Sequence, residues 1–365
     1  MAVIPLFKPF ISRKCYDAIA NVLDSGCLTE GATSELFELK FGKFIGNENT
    51  CLTNSCTSAL HLAGILAGIE RGDEVITSAM TCMATNEPFY NMGAKLVFAD
   101  IEIDSGNLCP QSIESKITPK TKAIVVVHWA GNPAKIKEIN ELAQKHGLKV
   151  IEDAAHALGS SHRGQKIGNH SDFVCFSFQA IKHLTAGDGG AICCKNKDDA
   201  ERARKIRWFG LDRKYSGLRR WDQDIPESGY KYHMNNINAA IGLENLKAID
   251  PIIKAHYENA RFFDYQIENN MVKRMIVNNG DYSANWIYSL LVEDREAFLK
   301  HFKKAEIAVD RVHVRNDNYS VFKEFKTNLP VLEEFDSKLV NIPVGWWLSE
   351  DDKNHIVKTA NTYGG

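Results

Sequence analysis

The chain of 365 residues is 44% hydrophobic and 25% charged, and its formal net charge at pH 7 is −2. These values are ordinary for a globular protein, and the length allows one large and one smaller domain. Both signs of charge are interspersed, which argues against nucleic acid or an anionic membrane surface as the main partner. Basic residues cluster locally at 202–207 and 213–220, where they form either a solvated surface or an anion-binding site.

The nine cysteines are scattered along the chain. They show neither paired CxxC spacing nor alternating Cys and His ligands, so we expect no metal site and no disulfide framework. The N-terminal stretch has two prolines and no continuous apolar run, and no later stretch is long enough to cross a bilayer. Because free thiols are typical of a reducing compartment, we expect a soluble, cytoplasmic protein.

The first half of the chain alternates apolar runs with amphipathic stretches. Pro5 and Pro9 predict an extended arm over residues 1–12. Helical periodicity predicts helices at 15–23, 31–46, 58–69, 84–92 and 133–147. Runs rich in β-branched residues predict strands at 51–53, 72–78, 95–101, 123–129, within 149–156, and at 172–178. This alternation is typical of a mostly parallel sheet with helices on both faces, which binds ligands at the C-terminal ends of its strands.

Past residue 210 the pattern loosens. Residues 211–228 are charged, aromatic and rich in turn formers, which predicts a long surface loop of the kind that often carries function. A helix is expected from residue 236 to 249, with Pro251 ending it. Later elements are predicted at 252–269, 286–292 and 295–304.

This change of pattern predicts two domains. The first is a large α/β domain over residues 1–250, which includes the N-terminal arm. The second is a smaller α+β domain over residues 251–365.

Ser55, Cys56 and Thr57 lie between the first predicted strand and a helix. Backbone N–H groups and hydroxyls at a helix N-terminus form a site for an anion such as phosphate. Small polar residues are also the usual helix caps, so this stretch alone leaves both roles open.

Two charged residues occupy unusual positions further along the chain. Asp153 follows a buried strand at the edge where ligands bind, and Glu152 must point to the opposite face. Lys182 lies between an apolar run and a glycine-rich turn, in FSFQAIKHLTAGDGGA. A lysine there loses its hydration unless it is neutralised or acts as an amine. Taken singly, the acid fits a structural ion pair and the lysine a solvated side chain.

The three features together match the needs of pyridoxal 5′-phosphate (PLP). A helix start holds the phosphate, a carboxylate keeps the pyridine nitrogen protonated, and a lysine forms the Schiff base and moves the proton.

The sequence resembles the DegT/DnrJ/EryC1/StrS family of sugar aminotransferases, which are fold-type I PLP enzymes. The resemblance covers nearly the whole chain, and it implies a mostly parallel sheet flanked by helices with a smaller C-terminal α+β domain. Its AIK core and GYKY segment are those of enzymes that aminate the 4-keto carbon of nucleotide-linked sugars. The markers, in order, are TNSCTSALHLA, GDEVITSAMTCMATN, VHWAGNPAKI, IEDAAHALGS, FSFQAIKHLTAGDGG and GYKYHMNNINAAIG.

The resemblance implies a role for each matching position around the cofactor. Lys182 would form the internal aldimine, and Asp153 would pair with the pyridine nitrogen. His156 would lie near the ring, where many relatives have Gln. The phosphate would be held by Ser177, Ser55, Thr57 and, largely through its backbone, Cys56.

Two positions bear on assembly and on cofactor retention. Lys231 stands where many relatives have an Asn that reaches the phosphate of the neighbouring subunit, which implies a homodimer with shared active sites. Cys82 stands where relatives commonly stack an aromatic ring on the cofactor, and a thiol supplies less contact area. Weaker candidates for binding the diphosphate or base of a substrate are Arg219, Arg220, Trp221, His313, Arg315 and Trp346.

The expected reaction is a ping-pong transfer of an amino group from an amino acid, L-glutamate by resemblance, to a nucleotide-linked keto-deoxysugar. Two alternatives stay open at this point. The first is keto-sugar dehydration on the same scaffold, although the sister 3-dehydratases replace the lysine with His. The second is a non-catalytic regulator, which would have no need of Lys182 and Asp153.

Overall fold

The computed structural model describes residues 3–364, with the exception of the Arg220 side chain. Helices and strands alternate through the first 200 residues, as the sequence predicts. The helices in the described range are α1 (Cys15–Asp24), α2 (Ala32–Ile45), α3 (Cys56–Leu66), α4 (Met83–Asn91), α5 (Pro110–Glu114), α6 (Ile136–His146), α7 (Lys197–Ile206), α8 (Asn236–Leu246), α9 (Ile249–Gln266), α10 (Arg295–Lys304), α11 (Pro330–Lys338) and α12 (Glu350–Asn361). The strands are β1 (Thr50–Thr53), β2 (Glu74–Ser78), β3 (Lys95–Ala99), β4 (Thr121–Val127), β5 (Lys149–Asp153), β6 (Ser161–His162), β7 (Gln165–Lys166), β8 (Phe173–Ser177), β9 (Gly190–Cys194), β10 (Val272–Arg274), β11 (Tyr288–Val292) and β12 (Leu339–Ile342).

Seven strands form the large sheet, in the order β1-β9-β8-β5-β4-β2-β3. Strands β3, β2, β4, β5 and β8 are parallel to their neighbours in this series. Strand β9 alone runs antiparallel, both to β8 and to β1. The mostly parallel sheet predicted from the sequence is therefore confirmed. The C-terminal ends of β1, β5 and β8 consequently meet the start of β9 at one edge.

Helices cover both faces of this sheet, which explains why its central strands are apolar throughout. In β4 every residue from Ala123 to Val127 is buried. On one face α2 packs with Phe37 and Phe41 against Phe178, with ring centroids 5.3 and 4.9 Å apart. Burial of this kind supplies most of the free energy that holds the layers together.

A second sheet has three antiparallel strands in the order β10-β11-β12. It packs on α9, α10 and α12 around a separate apolar core. The strands of the large sheet come from residues 50–194 and those of this sheet from residues 272–342. The assignment of residues 1–250 and 251–365 to two domains stays a prediction.

The N-terminal arm connects the two parts of the molecule. Ile4 forms a β-bridge with Ile307 beside the small sheet. Phe7 then stacks on Trp286, with ring centroids 4.9 Å apart. The arm is extended, in agreement with the two prolines of its sequence.

The prediction that Pro251 ends a helix is wrong. The chain turns at Lys247 and Ala248, and Pro251 is the third residue of α9. A proline costs little in the first turn of a helix, because the N–H group that it lacks has no partner there. Residues 211–228 do form a loop, in which the short 3₁₀ turn Arg220–Asp222 is the one regular element described.

Phe41→Ala is expected to lower the free energy of unfolding by about 3–5 kcal/mol, because it empties a buried site between Phe176 and Phe178. Chemical denaturation followed by circular dichroism measures the loss. Tyr265→Ala is the control, since that ring is 67% exposed. An equal loss in both variants would contradict the packing described here.

Candidate active site

The start of α3 lies at the edge where the strand ends meet. Ser55 is the N-cap, and its hydroxyl accepts a hydrogen bond from the Ser58 N–H at 3.0 Å. Cys56 and Thr57 occupy the first turn, where backbone N–H groups have no acceptor within the helix. The helix cap anticipated from the sequence is therefore present. The cap leaves the first-turn N–H groups available to an anion.

Strand β9 passes close to this helix start, and only a glycine fits at the crossing. Gly190 pairs with Thr53 of β1 on one side and with Ser177 of β8 on the other. A Cβ atom on Gly190 would lie 2.5 Å from the Cys56 nitrogen, closer than real contacts allow. The close approach brings Ser177 to the same edge as the first turn of α3.

Asp153 ends β5 at the same edge, and both of its carboxylate oxygens have donors. The Ala155 N–H donates to Oδ1 at 3.0 Å, and the Thr85 hydroxyl donates to Oδ2 at 2.6 Å. Asp153 is 5% exposed. Glu152 points to the opposite face, where it pairs with the buried His128 at 2.7 Å. Strand alternation thus assigns Asp153 to the site and Glu152 to the core, as the sequence indicates.

Lys182 lies in the turn after β8, with its side chain partly buried. Its Nζ atom is 3.5 Å from the centre of the Trp286 ring. Burial lowers the pKa of the Lys182 amine to about 8, and the negative charge of Asp153 acts in the opposite direction. The neutral amine is therefore far more populated at pH 7 than in an exposed lysine.

His156 forms an aromatic stack with Trp286 and His313. The His156 ring lies 3.9 Å from Trp286 and 5.4 Å from His313, nearly parallel to both. Burial, together with the positive charge of Lys182, lowers the pKa of His156 well below its usual value. The same causes lower the pKa of His313 to about 3. Both imidazoles are neutral, and among the described residues the buried Nδ1 atom of His156 has no hydrogen-bond partner.

The two cysteines near Asp153 and Lys182 differ in exposure. Cys56 is buried, with its sulfur 4.0 Å from Asp153 Oδ1, and burial followed by the charge of Asp153 raises the pKa of its thiol well above the usual value. Cys82 is exposed at the N-cap of α4, near enough to Lys182 and Cys56 to influence their charges.

The remaining predicted residues lie at different places. Lys231 is exposed, and its carbonyl accepts from the Asn54 side chain at 3.2 Å beside the start of α3. Arg315 is buried and makes two hydrogen bonds, at 2.7 and 2.6 Å, to Asp317. Trp346 packs edge-on against Phe10.

Three of the predicted substrate residues belong to the 211–228 loop. Arg219 and Trp221 are exposed. The side chain of Arg220 lies outside the described part of the structure.

Sequence reasoning missed two residues that contact the predicted ones. Thr85 follows Cys82 by one helical turn, and a hydroxyl in the first turn of a helix after a strand end was the available signal. Trp286 had no such signal, because its position depends on contacts between distant segments. Its indole N–H donates to the Ile181 carbonyl at 2.9 Å, and its backbone N–H donates to the Ala130 carbonyl at 2.8 Å.

The residues present fit PLP. The start of α3, which Gly190 allows β9 to approach closely, suits a phosphate ester. Asp153 presents an acceptor to a protonated ring nitrogen. The unpartnered His156 Nδ1 can bond a polar group of the ring, and Lys182 supplies an amine of lowered pKa. A mostly parallel sheet with these groups at its C-terminal edge defines the fold-type I class of PLP-dependent enzymes.

Comparison with known proteins identifies the family. The model of the DegT/DnrJ/EryC1/StrS aminotransferase family matches residues 9–361. The solved structure of the sugar aminotransferase CalS13 from Micromonospora echinospora is 35% identical, with a TM-score of 0.94 over 98% of this chain and 99% of that one. AtS13 from Actinomadura melliaura is also 35% identical, with a TM-score of 0.95 over 99% of both chains. The spore coat polysaccharide biosynthesis protein SpsC of Bacillus subtilis is 30% identical over 98% of this chain and 96% of its own length.

The chain belongs to the DegT/DnrJ/EryC1/StrS aminotransferase family. It is a PLP-dependent enzyme of fold type I, as the resemblance implies. Within residues 3–364, no helix combines the length and the apolar character needed to cross a membrane.

Gly190→Ala is expected to weaken PLP binding by about tenfold or more, because its Cβ would push the start of α3 away from β9. Titration of the apoprotein with PLP, followed by absorbance, measures the affinity. Gly164→Ala is the control, since its Cβ would meet nothing within 4 Å and the variant carries only the backbone strain of its own positive φ. Unchanged affinity in Gly190→Ala would contradict the assigned phosphate site.

The lowered pKa of Lys182 predicts how the apoprotein reacts with an amine-directed reagent. Labelling requires the neutral amine, so the labelling rate at Lys182 should rise with pH. The rate should reach half of its maximum near pH 8. Exposed lysines should reach their midpoint near pH 10.4. Peptide mass spectrometry after brief acetylation measures both in one sample, and a midpoint for Lys182 equal to that of the exposed lysines would disprove the shift.

Proposed function

We propose that the protein transfers an amino group from an amino acid, L-glutamate, to the 4-keto carbon of a nucleotide-linked keto-deoxysugar. The observation that carries this proposal is the arrangement of Lys182. Its amine has a pKa of about 8 and lies among Asp153, His156 and Trp286 at the sheet edge. The sugar as acceptor is supported by the similarity to CalS13, which is itself a sugar aminotransferase.

Six residues of this chain would hold the cofactor. Asp153 would bond the ring nitrogen, and the neutral His156 would support the ring. The phosphate would lie against the hydroxyls of Ser55, Thr57 and Ser177. The first-turn N–H groups of Cys56 and Thr57 would also donate to it. When bound, PLP supplies an electron sink for the electron pair left on carbon when a proton is removed.

Lys182 moves the proton in both halves of the reaction. With its Nζ atom neutral, Lys182 would take a proton from the α-carbon of the amino-acid donor in the first half. In the second half the same amine would deliver a proton to the sugar carbon. The sum is balanced: glutamate and keto-sugar give 2-oxoglutarate and amino-sugar.

The neutral histidines are unsuited to act as the acid of this exchange. Because the pKa of His156 is lowered well below its usual value and that of His313 to about 3, neither ring is an imidazolium at neutral pH. We assign His156 to cofactor support and His313 to substrate contact at the inner end of the site, where it faces His156 at 3.5 Å between Nε2 atoms.

Recognition of the nucleotide is assigned mainly to the 211–228 loop. Arg219 and Trp221 are exposed and offer a cation for the diphosphate and a ring for the base. Arg220 and Trp346 belong to the same proposed group. Arg315 is less suited to bind a diphosphate, since its guanidinium is already paired with Asp317 inside the protein.

The exposed Cys82 leaves one side of the proposed cofactor position open. A thiol covers less of a ring than the aromatic side chain common at this position in relatives. We therefore propose that this enzyme retains PLP less tightly than relatives with the aromatic residue, and that it relies more on the phosphate contacts.

A homodimer is the proposed assembly. Large apolar side chains are exposed on α1, on α2 and in the 211–228 loop, and a second copy of the chain would cover them. In this arrangement Lys231 would reach the phosphate site of the partner. The exposed side chains include Tyr16 at 67%, Leu39 at 68% and Leu218 at 95%. All nine cysteines are free thiols, which supports the cytoplasm as the proposed location.

Dehydration of the keto-sugar is the rival reaction, and Lys182 argues against it. The related dehydratases replace this lysine with His, so an enzyme that keeps it is suited to amino transfer. A non-catalytic role is disfavoured for a similar reason, because Lys182 and Asp153 are both in place.

The direct test incubates the purified enzyme and PLP with glutamate and a panel of 3-keto and 4-keto nucleotide sugars. We expect one 4-keto sugar to give an amino-sugar together with an equal amount of 2-oxoglutarate, both measured by mass spectrometry. Lys182→Ala should reduce the rate by about 10²–10⁴-fold, the contribution of a proton-transferring side chain.

The exposed Lys145→Ala is the control and should retain the full rate. Loss of water from the sugar without nitrogen transfer would favour the dehydratase. If no sugar of the panel gains nitrogen, the proposed reaction is refuted while the fold assignment is unaffected.

A further inference from the structure

A chain of two threonine hydroxyls ends on the carboxylate of Asp153. The Thr85 Oγ1 atom lies 2.6 Å from Asp153 Oδ2, and the Thr81 Oγ1 atom lies 2.7 Å from Thr85 Oγ1. All three side chains are buried, with exposures of 2% for Thr81, 0% for Thr85 and 5% for Asp153. Both threonines lie in the marker GDEVITSAMTCMATN, but the sequence analysis assigns neither of them a role.

The direction of these hydrogen bonds follows from counting protons. An ionised carboxylate only accepts, so the single hydroxyl proton of Thr85 is donated to Asp153. The oxygen of Thr85 is then the acceptor for Thr81, which donates its own proton. Hydrogen bonds arranged in series polarise one another, and a hydroxyl donating to a carboxylate is a strong, short bond.

The helix start that carries both threonines is fixed from the other side by Asn316. Its side-chain amide donates to the Thr81 carbonyl at 2.7 Å, and its Oδ1 accepts from Asn86 at 2.8 Å. Its backbone N–H donates to the Ala79 carbonyl at 2.6 Å. Asn316 is fully buried. The hydroxyl chain is therefore held rigidly against Asp153.

We propose that Thr85, supported by Thr81, is a positioning residue that sets the orientation of Asp153 toward the cofactor ring nitrogen. The inference rests on the proposed pairing of Asp153 with that nitrogen. With Thr85 on Oδ2 and the Ala155 N–H on Oδ1, the carboxylate cannot rotate without breaking one of two bonds. Each oxygen keeps a further lone pair for a protonated ring nitrogen.

The test compares Thr85→Val, which has nearly the same shape without the hydroxyl, with Thr85→Ser, which keeps the hydroxyl. Apoproteins are titrated with PLP and, in parallel, with the 1-deaza analogue, in which carbon replaces the ring nitrogen. We expect Thr85→Val to weaken PLP binding about tenfold, the value of one hydrogen bond to a charged group. Thr85→Ser should bind PLP within about twofold of wild type.

The deaza analogue separates positioning from packing. It offers no ring nitrogen to Asp153, so its affinity should be the same in wild type and in Thr85→Val. Thr50→Val is the matched control, because Thr50 is also buried and its hydroxyl donates at 2.8 Å to the Asn47 carbonyl without contacting Asp153 or the Asn316 network. Its affinity for both ligands should equal that of wild type. If Thr85→Val does not fold, Thr81→Val takes its place and should weaken PLP binding in the same direction by a smaller factor.

The outcomes separate this inference from the proposed function. Equal PLP affinity in wild type and Thr85→Val overturns the positioning role and leaves the proposed function intact. If Thr85→Val weakens the binding of PLP and of the deaza analogue equally, the positioning role is overturned as well, because the loss then comes from packing. Failure of the wild-type protein to bind PLP refutes the cofactor assignment and the positioning role with it.

Discussion

The close approach of β9 to the first turn of α3 is the contact on which the site depends. Without a side chain at Gly190, the strand comes near enough to bring Thr53, Ser177 and the helix start to one edge. Strand β9 can do this only because it runs antiparallel and begins where its neighbours end. The parallel strands supply Asp153 and the turn after β8 supplies Lys182, so every proposed cofactor contact is set by the register of one sheet.

Desolvation controls the charges of the side chains in this site. Burial is the first cause of the shift at Lys182, at His156 and at His313, and in each case it favours the neutral form. Both oxygens of Asp153 accept hydrogen bonds from backbone and hydroxyl groups. The site therefore combines an acceptor for a protonated ring nitrogen, two neutral imidazoles and an amine that releases its proton more readily than an exposed lysine does.

The sequence revealed those parts of this arrangement that depend on local pattern. Strand and helix periodicity gave the parallel sheet, and alternation within β5 separated Asp153 from Glu152. The lysine was identified by its position between an apolar run and a glycine-rich turn. Pro251 shows the limit of local rules, because the same residue can end one helix or begin the next. Trp286 could not be found from pattern, since the contacts that place it come from Phe7, Ile181 and Ala130, far apart in the chain.

The N-terminal arm is coupled to the site through aromatic contacts. Phe7 stacks on Trp286, and Trp286 lies against Lys182, so the arm is two contacts from the reacting amine. Trp347 adds a hydrogen bond from its indole N–H to the Pro5 carbonyl at 3.1 Å. A shift of the arm would therefore reach the reacting amine through two ring contacts, although the arm lies more than 170 residues from Lys182 along the chain.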